Sequence, residues 1–138
     1  MITVGGLVEN LRSNNKAARI SAIRSLVQIR TDARLAVPYL VTLLDDPDAE
    51  IASLSLRVLA LLGLNASLKP EIVTRLYDPR PEMRRMAAFA IGSMGTAGRD
   101  LIPLLAPLLK DEDLGVQMYA FLAIGKLSAD SERIEGLR

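Results

Sequence analysis

The chain has 138 residues, half of them hydrophobic, and its 17 basic and 16 acidic side chains leave a net charge of +1. That length allows one domain with a continuous core, and the near-neutral balance excludes the bulk signature of a nucleic-acid or membrane-surface protein. The absence of Cys and His excludes a disulfide framework, a thiolate metal site and the commonest general base.

Residues 1–6 are a short lead-in, followed by a helix over about Leu7 to Arg12 with Leu7, Val8 and Leu11 on its inner face. Ser13-Asn14-Asn15 is a polar turn of the kind that caps a helix by accepting from free backbone N–H groups, and a second helix runs from about Lys16 to Ile29. Thr31-Asp32 can cap a third, about Arg34 to Asp45, with Pro38 near its start, where a missing N–H costs little. Asp45-Asp46-Pro47-Asp48 turns into a fourth helix, Ala49 to Leu62, ended by Gly63 as its C′ residue. Asn65 occupies the place of Asp32, and a fifth helix runs about Leu68 to Tyr77, with Pro70 matching Pro38. Asp78-Pro79-Arg80-Pro81 turns into a sixth, closed by Gly95. Thr96-Ala97-Gly98 leads to a seventh, about Arg99 to Lys110, in which Pro103 matches Pro70 and the extra Pro107 should bend the helix or delay its start. Asp111-Glu112-Asp113 opens an eighth over about Leu114 to Leu127.

The even-numbered helices are copies of one another. Ala18, Ile51, Met83 and Val116 recur at near-equal steps (51−18 = 33, 83−51 = 32, 116−83 = 33). Small residues stand four further on: Ala22, Ser55, Ala87 and Ala120. Then come Leu26, Leu59, Ile91 and Ile124, and after them Ile29, Leu62, Met94 and Leu127. Positions i, i+4, i+8 and i+11 make one helical face, and a period of about 33 residues marks a stack of one two-helix unit. The repeats fall at about 5–30, 32–63, 65–95 and 98–128. Asp130 is in register to cap a terminal helix at about 130–137, either a short helix that covers the last repeat or the first turns of a fifth hairpin. The outward Met118, Phe121 and Leu122 of the fourth repeat favour an array that continues further.

The third repeat, Asp78-Pro79-Arg80-Pro81-Glu82-Met83-Arg84 followed by Ala87-Ala88, Ala90-Ile91-Gly92 and Met94-Gly95, resembles the short bacterial and archaeal HEAT repeat, also called the phycobilisome-lyase-like HEAT repeat. Repeat two keeps Asp46-Pro47, Ile51, Leu59 and Gly63 but has Ala52 in the Arg place. Repeat four keeps Asp111, Val116, Ala120 and Ala123-Ile124-Gly125 but has Gln117 there. Repeat one is weakest, with Ala18-Arg19, Ala22 and Leu26. The Trp and Tyr positions of tetratricopeptide repeats and the Thr-Pro-Leu-His of ankyrin repeats are missing. The resemblance implies an all-α class: an α-α superhelix, or solenoid, of four HEAT-like hairpins plus a partial fifth A helix, in which the first (A) and second (B) helix of each hairpin form two layers. It also implies a ladder between repeats made by the turn Asp and the Arg after the anchor, incomplete here because only Arg19 and Arg84 fill the Arg place. The usual function of such proteins is scaffolding or protein binding, with tetrapyrrole-handling and DNA-associated members.

In such a solenoid the B helices line the concave face. Residues two, six and ten after each anchor point away from the packing stripe: Ile20, Arg24 and Gln28; Ser53, Arg57 and Leu61; Arg85, Phe89 and Ser93; Met118, Leu122 and Lys126. Side by side they would form a surface that is basic early and apolar late. Phe89, Met118 and Leu122 are its expected anchors, and Arg24, Arg57, Leu61, Arg85 and Lys126 its surroundings. Packing of Phe89 and Leu122 on a neighbouring helix or on a second copy is the structural alternative, and self-association through the C-terminal repeat follows from it. Arg80, Arg84 and Arg85 could meet phosphates, but pairing with nearby acids such as Asp78 and Glu82 explains them better. Gly92 to Gly98 lacks the Lys-Ser/Thr of a phosphate loop, and Gly92 and Gly125 read as places of close helix approach. The carboxylates at the turns read as helix N-terminal charge, not as a calcium loop. No catalytic, cofactor or metal site emerges. The resulting expectation is a cytoplasmic, non-catalytic module that binds a protein or peptide on its B-helix face. A nucleic-acid-associated module using Arg24, Arg57, Arg84 and Arg85 and a chromophore-lyase-like accessory protein are the alternatives.

Overall fold

The computed structural model describes residues 4–29, 34–63 and 67–136, with side chains described over 5–26, 34–63 and 67–129. Eight α-helices appear there: α1 (Val4–Leu11), α2 (Lys16–Ile29), α3 (Val37–Leu43), α4 (Ala49–Leu61), α5 (Lys69–Arg75), α6 (Pro81–Gly92), α7 (Ile102–Leu105) and α8 (Leu114–Gly136). No strand occurs among the described residues, and no helix there is long and apolar enough to cross a membrane. The caps expected at Thr31-Asp32 and Asn65 lie outside the described residues.

The chain divides into two compact units, Met1–Leu62 and Gly63–Arg138. In the first, α1 pairs with α2 and α3 with α4, and α2 packs on α4. Its core is Leu7, Leu11, Ile23, Leu26, Leu40, Leu44, Ile51, Leu56 and Leu59, all buried. In the second, α5 pairs with α6, α8 pairs with the segment 95–110, and α6 packs on α8. Its core is Ile72, Leu76, Met83, Ile91, Leu101, Leu105, Val116 and Leu127. Each buried aliphatic side chain of this kind contributes about 1.5–3 kcal/mol. The four small residues of the B helices, Ala22, Ser55, Ala87 and Ala120, are all buried, as the repeat requires. Ser55 stays satisfied by donating to the Ile51 carbonyl at 2.8 Å.

The turn inside each hairpin is built the same way four times. The oxygen of Ser13, Asp46, Asp78 or Asp111 accepts from the backbone N–H two residues on, at 3.0, 2.8, 2.9 and 2.9 Å. In repeats one, two and four that second residue is itself the cap of the B helix: Asn15 accepts from Ala18, Asp48 from Glu50 and Ile51, and Asp113 from Val116. These side chains satisfy backbone donors that a helix start leaves open. Repeat three has Arg80 in the cap place and no side-chain cap; Pro81 at the first helical position removes one donor instead.

Three expectations are corrected. The fourth A helix is not one helix: Gly95–Leu101 is 3₁₀, Ile102–Leu105 is α and Ala106–Lys110 is 3₁₀ again. Pro107 has no N–H for the Pro103 carbonyl, so the α ladder cannot continue through it. Asp130 does not open a separate terminal helix, because α8 runs unbroken from Leu114 to Gly136. Gly125 is no site of close approach: a Cβ there would meet nothing within 4 Å, whereas one on Gly92 would stand 3.0 Å from both Cα and Cβ of Ala123. Gly63, with φ at +76°, does end the α4 region in the left-handed conformation a C′ glycine adopts.

A pair of substitutions separates these last two helical glycines in urea unfolding followed by circular dichroism. Gly92→Val forces α6 off α8 and is expected to cost about 1–3 kcal/mol. Gly125→Ala meets no obstacle and should raise stability by about 0.5–1 kcal/mol.

Candidate functional site

Arg24, Arg57, Leu61, Met118, Leu122 and Lys126 are exposed; Ile20, Ser53, Arg85, Phe89 and Ser93 are half-buried. Gln28 lies where side chains are not described.

In the first unit the structure brings Arg24 of α2 together with Leu54, Arg57, Val58 and Leu61 of α4 around a depression of about 300 Å³. In the second it brings Phe89 and Gly92 of α6 and its C-cap residue Ser93 together with Tyr119, Leu122, Ala123 and Lys126 of α8 around a cavity of about 240 Å³. The two hollows occupy the same place in the repeat. Each lies between consecutive B helices and uses the residues three, six, seven and ten after the anchor of the second helix. Leu54, Val58, Tyr119 and Ala123 lie outside the sequence expectation. They sit three and seven after Ile51 and Val116, on the side of the helix turned towards the preceding repeat. A reading of the face as three outward residues per helix passes over them, although their offset is periodic and visible.

The two hollows differ in chemistry. The first is aliphatic with two guanidinium groups at hand. The second is floored by an aromatic pair: Phe89 and Tyr119 meet edge to face, with ring centroids 6.3 Å apart and planes at 85°, an arrangement favoured by the ring quadrupoles. Gly92 and Ser93 keep the α6 wall small, Leu122 forms an apolar side, and Lys126 puts an ammonium at the edge. Met118 is exposed on α8 one turn before Leu122 but does not line this cavity.

Arg85 requires a correction. It is no free rim cation. Its Nε and Nη2 donate to the two carboxylate oxygens of Asp113 at 2.9 and 2.8 Å, and it lies over Gly115, where a Cβ would come within 2.5 Å of its Nε. Arg84 is more deeply committed. Nε and Nη2 hold Asp111 in a fork at 3.0 and 3.0 Å, and Nη1 donates to the carbonyls of Asp78 and Pro79 at 2.9 and 3.0 Å. Neither arginine is available to a phosphate, and their partners are the next repeat's turn acids, not Asp78 and Glu82. Arg80 does pair with Asp78, at 3.0 Å.

The Arg84–Asp111 pair is the inter-repeat rung that the family pattern implies. The residue after the anchor also reaches back to the turn carbonyl six residues earlier in three repeats: Arg19 to Ser13, Arg84 to Asp78 and Gln117 to Asp111, at 3.3, 2.9 and 2.6 Å. Gln117 thus keeps one half of the Arg role, the backbone anchor, without the charge. In the first unit Lys16 bridges to Asp48 and Glu50 of the next repeat, at 2.9 and 3.0 Å. In the second, Lys69 takes Asp100 and the Ala97 carbonyl.

The fold agrees with the comparisons. A family model described as HEAT repeats matches residues 69–138, just over half of the chain. The chain belongs to the HEAT-repeat family. It is a helical-repeat scaffold, and the repeat-equivalent hollows between B helices are features of that scaffold. No curated protein matches the chain. Among solved structures, an engineered protein is similar with a TM-score of 0.71 and 24% identity over 93% of this chain. The complex of CpcE and CpcF of phycocyanin lyase from Nostoc sp. PCC7120 is similar with a TM-score of 0.66 and 21% identity over 94% of it. The chain spans 63% and 66% of those two chains, under two thirds of their length, and identities at this level show shared fold.

The ion pairs set a pH dependence. The Arg85 guanidinium, with the Val116 N–H, holds the Asp113 carboxyl down at about 2. The Arg84 guanidinium likewise holds Asp111 below the ordinary carboxylate value. A depressed folded-state value means stabilisation that is complete above the unfolded value near 3.8 and lost as pH falls through the folded one. Urea midpoints should therefore fall between about pH 4 and pH 2, and Asp113→Asn should flatten the lower part of that decline. At neutral pH Arg84→Ala, which strands Asp111 in a largely buried pair, should cost about 3–5 kcal/mol. Arg85→Ala, at a pair less buried than Arg84–Asp111, should cost less.

Proposed function

We propose that the chain is a non-catalytic binding module that takes a protein or peptide segment on its B-helix face, with the hollow between α6 and α8 as the principal pocket. The observation that carries this reading is the composition of that hollow. It has an aromatic floor of Phe89 and Tyr119, an apolar side from Leu122, a small-residue wall from Gly92 and Ser93, and one ammonium, Lys126, at the edge. Such a pocket suits one apolar or aromatic side chain, with a carboxylate next to it in the partner's sequence to meet Lys126. Apolar anchor and charged edge is the arrangement in which a few residues supply most of the binding energy. The depression around Arg24, Arg57 and Leu61 supplies a second, more basic contact of the same kind.

The nucleic-acid alternative retains Arg24 and Arg57 but loses Arg84 and Arg85 to internal ion pairs. The chromophore-accessory alternative rests on the fold likeness to a phycocyanin lyase, and visible absorbance of the purified protein would be its mark.

Selection from a random displayed-peptide library tests the reading. Enriched peptides are expected to share an aromatic or aliphatic residue beside Asp or Glu. Their affinity should drop at least tenfold on Ser93→Trp, which fills the cavity, and should change little with added salt. Enrichment of basic peptides, or binding that ignores Ser93→Trp, would count against the pocket. Tight DNA binding that weakens steeply as salt rises would favour the nucleic-acid alternative.

A further inference from the structure

The stretch from Leu114 to Gly125 carries no charge. On α8 one turn advances about 3.6 residues, so Leu114, Met118, Phe121, Leu122 and Gly125 share a single stripe. All of it is exposed: Leu114 by 78%, Met118 by 52%, Phe121 by 68% and Leu122 by 54%, with Gly125 open as well. The matching positions one repeat earlier are Pro81, Arg85, Ala88, Phe89 and Gly92, and there Ala88 and Gly92 are buried, Gly92 against α8 itself. The face by which α6 receives a neighbouring B helix is thus repeated on α8 with larger apolar side chains and, among the described residues, no neighbour. A contiguous apolar patch of this kind marks an interface.

We propose that this stripe is a self-association surface on which α8 of a second copy packs antiparallel about a two-fold axis. Pairing centred between Tyr119 and Ala120 sets Leu114 opposite Gly125, so that a large side chain enters the space where α8 has none. It sets Phe121 opposite Met118, a sulfur–aromatic contact. It also brings Lys126 of each copy towards Glu112 of the other. Both of these side chains are exposed and of opposite charge. Antiparallel packing matches them, whereas parallel packing sets Lys126 on Lys126. A head-to-tail arrangement lacks a counterpart: the exposed side chains of α2 include Lys16, Ser21 and Arg24 and no large apolar one among the described residues. A closed two-fold pair is the arrangement that covers both stripes. The stripe shares Leu122 and Lys126 with the peptide pocket; Ser93→Trp fills that pocket and leaves the stripe intact, whereas Phe121→Glu and Leu114→Glu alter the stripe and not the pocket, so the two readings are tested separately.

Sedimentation equilibrium of the full chain over a concentration series is the test. The wild type should move from 15.0 kDa to twice that mass. Phe121→Glu and Leu114→Glu should each remain monomeric throughout, with unchanged helical circular dichroism because both side chains are exposed. Lys126→Glu and Glu112→Lys should each weaken dimerisation by several-fold, and the double charge reversal should restore it. A wild type that stays monomeric, a dimer that survives Phe121→Glu, or a double reversal no better than the single changes would overturn the proposal.

Discussion

There is no room for a side chain between α6 and α8 at residue 92. A Cβ there would come to 3.0 Å from the backbone of Ala123, and this lack of space decides much of the second unit. Because the two B helices touch nearly backbone to backbone at that end, the side chains that flank the contact cannot all be buried between them. Phe89, Tyr119 and Leu122 are displaced to one side, where they border the cavity. At the other end of α6 the separation is held by Arg84 and Arg85, whose guanidinium groups grip Asp111 and Asp113 in the next turn. A steric stop at one end and two bidentate ion pairs at the other fix how α8 lies on α6, and the pocket is what remains between them.

The ion pairs are effective because each is a part of a polar turn that is already fully organised. Asp111 accepts from the Asp113 N–H, and Asp113 caps α8 through the Val116 N–H, so both carboxylates are oriented before an arginine reaches them. Arg84 in turn directs its remaining donors to the Asp78 and Pro79 carbonyls. Burying this pair costs solvation, which pairing alone would not recover; the backbone hydrogen bonds at both ends offset that cost. The same turn persists in repeat two, where Ala52 stands in the Arg place, with the Asx bond and the cap intact, and in repeat one, where Arg19 keeps only the bond to the Ser13 carbonyl among those described. The turn is therefore the invariant, and the charged rung is an addition to it.

Most of the fold is legible in the sequence because the repeat repeats what burial demands. The repeat interval locates the four buried small residues, and Pro38, Pro70 and Pro103 mark the starts of three A helices. The breaks come where one residue acts against the pattern: Pro107 interrupts the fourth A helix, and nothing at Asp130 is strong enough to stop α8. The candidate site is half legible. Arg24, Arg57, Leu61, Phe89, Leu122 and Lys126 do border the two hollows. The hollows, however, are defined by pairs of helices, and a wheel drawn on one helix cannot show that Tyr119 lies against Phe89. Nor does a sequence tell that Arg85 is engaged by Asp113 of the following repeat, since local acids such as Glu82 lie far nearer along the chain.

The two hollows show how a repeat fold separates architecture from recognition. Their borders fall at the same offsets from the anchor because helix packing places them there, and packing depends on the anchor, the small residue and the turn. None of these lines the pocket, although Gly92, which sets the α6–α8 approach in the second unit, does. The residues three, six and ten after the anchor are therefore free to differ, and they do: Leu54, Arg57 and Leu61 in the first unit, Tyr119, Leu122 and Lys126 in the second. Exchanging one set for the other leaves the buried stripe untouched, so its effect should fall on what is bound and little on stability. A site so constructed takes its position from the fold and its preference from side chains that the fold does not constrain.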